Sequence, residues 1–122
     1  MTQKIKELLL RDLCMRLPYK PKVKIGEYYD YIVIGIDFSK EKPIIVEIEG
    51  IGERIEVYCE SIKPFLRLMS SMTQEEEREY YSTYLGLCET LETYDWLYAH
   101  HFDYRGLINK GLALEAPKGM YN

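Results

Sequence analysis

Cysteine is scarce in this chain and its spacing pairs none of it: Cys14, Cys59 and Cys88 are the only three in 122 residues. An odd number, with no C-x-x-C pair, argues against a disulfide framework and for reduced thiols in a cytoplasmic protein. Histidine is scarcer still. With no C-x-x-C pair and only His100 and His101 to join the thiols, a structural zinc site has poor support, so no metal and no other cofactor is expected. Long apolar runs are missing as well. The longest, Tyr31 to Ile36, contains a glycine and falls far short of the ~20 residues of a membrane helix. Leu8-Leu9-Leu10 runs at once into Arg11 and Asp12, which is too short for a secretory signal. The chain contains no P-loop, no G-x-G-x-x-G, no H-E-x-x-H, no EF-hand loop and no G-x-S-x-G elbow, so the motif-bearing enzyme classes are set aside.

What is present fits one soluble domain over 1–122. Hydrophobic residues make up 47%, enough for a packed core and too many for a disordered chain. The net charge of −4 is unevenly spread. Residues 1–24 carry seven Lys or Arg against two acids, and residues 41–60 carry six acids against Lys42 and Arg54. A basic end beside an acidic middle is a poor footprint for nucleic acid, which is not an expected partner. Twelve tyrosines stand beside three phenylalanines and one tryptophan. Tyrosine suits the edges of a small core, and it also suits contact surfaces.

The pattern predicts an α+β fold. Thr2 can cap a helix that ends near Arg16, before Pro18, with Ile5, Leu8, Leu9 and Leu13 inward and the basic residues opposite. Strands are expected over Val23–Ile25, Tyr29–Phe38, Ile44–Glu49, Arg54–Cys59 and Lys63–Leu68, with Pro64 marking an edge or a strand start. Four to five strands in succession make an antiparallel meander. It can curl into a small SH3-like barrel or stay an open curved sheet covered by helices. Thr73 and Glu76 have capping-box spacing and open a helix whose inward side is Tyr80, Tyr81, Tyr84, Leu85 and Cys88. A second helix is expected from about Leu91 to His101, with Leu91, Tyr94, Leu97, Tyr98 and His101 near one face, and an extended tail follows from Leu107 to Asn122.

The densest chemical cluster is His100, His101, Asp103, Tyr104 and Arg105. Histidine can move a proton near neutral pH and Asp103 could orient it. Arg105 could clamp a carboxylate or a phosphate. These five are therefore the candidate ligand-binding residues. The same residues have a simpler account, as basic groups complementing the negative end of a helix.

Segments of the chain carry a resemblance. Arg11 to Tyr19, Ile62 to Arg67 with Ser70 to Thr73, Asp95 to Leu97, His100 to Ile108 and Gly111 to Pro117 resemble a group of small proteins of phages, prophages and mobile elements of gut-type bacteria. The likeness spans about two thirds of the chain and leaves out Val23 to Glu60. The group has no known activity, so it transfers no residue role. It implies an accessory setting in which the protein meets host proteins or host small molecules. The leading expectation is a non-enzymatic binding module that engages a host protein or sequesters a small anionic ligand. The alternative is a small hydrolase or transferase on a nucleotide-like substrate, using His100 or His101 with Asp103 and Arg105.

Overall fold

The computed structural model describes residues 1–121, and of residues 29 and 30 the backbone alone. Asn122, the end of the expected tail, lies outside the described residues. Helix α1, Gln3–Arg16, starts where the Thr2 side chain accepts the Ile5 amide. Its buried stripe is Leu9, Asp12, Leu13 and Arg16, at spacings of three and four. Two expectations are corrected here. Arg16 belongs to the inner face, where it and Asp12 are fully buried, and Ile5 is 37% exposed rather than packed in the core.

The strands are β1 (Lys22–Ile25), β2 (Tyr28–Ile36), β3 (Ile44–Ile48), β4 (Arg54–Val57), β5 (Ile62–Leu66) and β6 (Leu114–Glu115), in sheet order β4-β3-β2-β1-β5-β6. The first four form the expected antiparallel meander. The fifth departs from it: β5 does not follow β4 but crosses to pair with β1 through Val23↔Pro64 and Ile25↔Ile62. The sheet remains open, with β4 at one edge and β6 at the other. Pro64 sits inside β5 and not at its start, in the part of the strand that β6 does not reach. Strand β2 bends at a bulge between Val33 and Gly35. A Cβ on Gly35 would come within 3.3 Å of Ile45 Cδ1, so the glycine lets the two strands close up at the bend.

Helix α1 lies on this sheet. Leu9, Leu10 and Leu13 meet Val23, Val33, Ile44 and Val46 in the main core. Fully burying each such side chain contributes about 1.5–3 kcal/mol. The second half of the chain makes a helical end. Helix α2, Gln74–Ser82, opens on the predicted capping box of Thr73 and Glu76. Helix α3, Leu91–Ala99, opens on a second box, Thr90 with Thr93, and stops earlier than expected. Tyr80, Leu97 and Phe102 form its core. The tail is docked. Strand β6 pairs parallel with β5, Ala116 donates to the Leu66 carbonyl at 2.7 Å, and Leu112 is buried. Among the described residues, no helix is long and apolar enough to cross a membrane.

Candidate functional site

Helix α3 ends in a Schellman turn. The His101 amide donates to the Tyr98 carbonyl at 3.0 Å, and the Phe102 amide reaches back to Leu97 at 2.9 Å. That geometry puts His101 in the left-handed region at φ 62°, a position usually given to glycine. A side chain there costs about 1–2 kcal/mol. The turn also sends the two histidines to different surroundings. His100 stacks on Trp96 with ring centroids 4.1 Å apart, and its Nδ1 lies 3.0 Å from the Trp96 carbonyl. His101 is buried and lies flat on Tyr121 of the tail.

Asp103 faces neither ring as a catalytic orienter would. Its Oδ1 accepts the Leu107 amide and its Oδ2 the Ile108 amide, both at 2.9 Å. It closes the turn that begins the tail. Arg105 is also engaged. Its Nε donates to Asp12 at 3.1 Å and its Nη2 to the Tyr98 hydroxyl at 3.0 Å. Asp12 receives Arg16 as well, Nε to Oδ2 at 2.8 Å, and Arg16 goes on to the Phe102 carbonyl at 2.8 Å. One buried carboxylate thus holds two guanidiniums and ties α1 to the end of α3. The Tyr104 hydroxyl lies 2.7 Å from that of Tyr98, and burial followed by this hydrogen bond pushes its pKa up. Arg67 completes the junction. It grips Glu76 through both oxygens at 2.7 and 2.8 Å, and its guanidinium lies 4.2 Å from the centre of the Phe102 ring.

The five candidates therefore do not form one site. His100, His101 and Asp103 are parts of the junction between α3, β5 and the tail. Tyr104 alone faces a recess, with Arg105 4.9 Å behind its ring. That recess is a groove of about 410 Å³ lined by Met15, Leu91, Tyr94, Asp95, Tyr98 and Tyr104. Tyr94 and Tyr98 both pack against Tyr104, at 5.3 and 5.7 Å between ring centroids. The walls are almost entirely apolar. Two carboxylates flank these walls: Asp95 lines the groove and holds the Tyr19 hydroxyl, and Glu89 holds those of Tyr84 and Tyr94.

Beside the groove is a feature that sequence reading missed. Leu85 and Cys88 exchange both backbone hydrogen bonds, at 2.9 and 3.1 Å, around a turn with Gly86 at φ 65°. Leu87 stands at its tip. Leu85, Leu87 and Leu91 are 78%, 98% and 89% exposed. This corrects the inward placement of Leu85, Cys88 and Leu91, and with them Tyr81, which is 61% exposed. The signal available in the sequence was Gly86: a glycine between two leucines after α2 marks a turn, not a continuing buried face. Among the described residues, no three His, Cys, Asp or Glu gather as a metal would require.

No family model, curated protein or solved structure matches the chain.

Proposed function

We propose that this chain is a non-enzymatic interaction module that docks a partner protein on its helical end, the partner being a host protein in a phage or mobile-element setting. The observation that carries the reading is the Leu85–Cys88 turn. A two-residue turn with both its hydrogen bonds made presents Leu87 rigidly, and two more leucines stand exposed within six positions. Each forgoes ~2 kcal/mol of burial in the isolated chain. A patch of this kind beside an apolar groove marks a contact surface, because monomeric proteins seldom gather large apolar side chains in the open. Tyrosine walls add rigid area at low entropic cost. The carboxylates of Asp95 and Glu89 at the groove select the occupant: a segment with apolar side chains flanked by lysine or arginine.

Sequestration of a small anion has less support, because the guanidiniums of Arg16, Arg67 and Arg105 are already committed to Asp12 and Glu76. The test is affinity capture from host lysate with wild type and L87D/L91D in parallel. The double variant is expected to keep its stability within about 0.5 kcal/mol, since both positions are solvent-facing, and to lose the captured partner. A partner held equally by both, or no partner held by wild type, overturns the proposal.

A further inference from the structure

The β4 edge of the sheet carries a second, unrelated feature. Among the described residues, strand β4 pairs with β3 on one side only. Its free side offers main-chain donors and acceptors to another strand. Its side chains are unusual for a protected edge. Val46 is fully buried on the core face of β3, and Ile55, which pairs with it, is 42% exposed. The core face thus runs out to the edge and ends on an uncovered isoleucine. Arg54 and Glu56 lie on the opposite face, and both are exposed.

We infer that β4 pairs antiparallel with β4 of a second copy of this chain, across a twofold axis at Ile55, joining two six-stranded sheets into one. Register selects this pairing. Directly opposed residues in an antiparallel pair point to the same face, so a slip of one residue would set the core face of one copy against the outer face of the other. Among the registers that keep the faces matched, centring on Arg54 opposes two guanidiniums, and centring on Glu56 opposes two carboxylates. Centring on Ile55 places Arg54 opposite the second copy's Glu56, and Glu56 opposite the second copy's Arg54. It also covers Ile55 with its own counterpart on the core face. One register therefore satisfies charge and burial together, and its neighbours are penalised by like charges. Lys40 already holds Glu56 through Oε1 at 2.8 Å, which leaves Oε2 for the incoming arginine. A four-residue edge makes few hydrogen bonds, so the association is weak and depends on concentration.

The contact is separate from the leucine turn, and each proposal can fail without the other. The test is sedimentation equilibrium of the full chain over a concentration series, with R54E, E56R, their equimolar mixture and the double variant R54E/E56R. Thermal melts confirm that each is folded. Wild type is expected to dimerise. Either single reversal turns both cross-strand pairs repulsive and weakens the dimer roughly tenfold or more. The mixture and the double variant regain complementary charges and recover it. A wild type that stays monomeric, single reversals that leave the dimer intact, or a mixture no tighter than its components would each overturn the proposal.

Discussion

His101 lies flat on Tyr121, ring centroids 3.5 Å apart and planes within 12° of parallel. The contact joins a left-handed residue at the end of α3 to the last described residue of the tail. It explains why a histidine stands where glycine would be easier. The ring is needed as a surface for the tail, and the stack offsets the backbone cost.

His101 makes stability depend on pH. Burial, then the positive charges of Arg16, His100, Arg67 and Lys22, pull its pKa down from 6.5 to about 4. The fold keeps the ring neutral where the unfolded chain binds a proton. Stability is therefore full above about pH 6.5 and falls as the pH drops towards 4, by on the order of 3 kcal/mol. A second window lies lower. The hydrogen bonds from Arg67 hold the Glu76 carboxyl at about 2, so its contribution fades as the pH falls from 4.5 towards 2. Urea unfolding across this range should show both windows. H101N keeps a residue that tolerates the left-handed region and should flatten only the upper one.

Asp12 is the hub of a buried charge network and should tolerate little. Asp12→Asn leaves the Arg16 and Arg105 guanidiniums without their carboxylate, Arg16 in full burial. The expected loss is about 3–5 kcal/mol in chemical denaturation. Replacing the pair together, as D12L/R16M, should cost less, because it removes the fully buried Arg16 charge and leaves only Arg105, which is partly exposed and keeps the Tyr98 hydroxyl. Equal losses for both variants would show that the network is not what holds α1 to α3.

The Tyr121 hydroxyl anchors the tail to two strands. It accepts the Lys22 amide at 3.0 Å and donates to the Phe65 carbonyl at 2.7 Å. Burial pushes its pKa up to about 12. Tyr121→Phe keeps the stack and removes both of these hydrogen bonds, so it should cost about 1–3 kcal/mol. Hydrogen exchange offers a local reading: the Lys22 amide should lose protection ahead of the rest of β1.

Much of this architecture was legible where local chemistry decides it. Thr2, Thr73 with Glu76, and Pro18 mark helix ends whose signals are short-range, and all three hold. Alternation over Ile44 to Ile48 is likewise a property of the strand itself. Two features escaped because pattern reading assigns faces by polarity. Asp12 and Arg16 sit on the stripe of Leu9 and Leu13, so their spacing pointed inward while their charge suggested the surface. Leu85 is apolar and continues the spacing of the inner side of α2, yet the turn at Gly86 carries it outward. The return of β5 to β1 depends on contacts across nearly forty residues, and no local pattern encodes it. The cluster from His100 to Arg105 was conspicuous by composition, yet its groups face the fold more than solvent, each claimed by a different neighbour.

The proposed docking face is the helical end. The most direct measurement is a titration of the captured partner into isotope-labelled chain, followed by amide chemical shifts. The docking account predicts that perturbations concentrate on Leu85 to Leu91 and on Met15, Tyr94 and Tyr104 around the groove. Perturbations confined to the sheet, or to His101 and the tail, with the leucine turn unmoved, would contradict it.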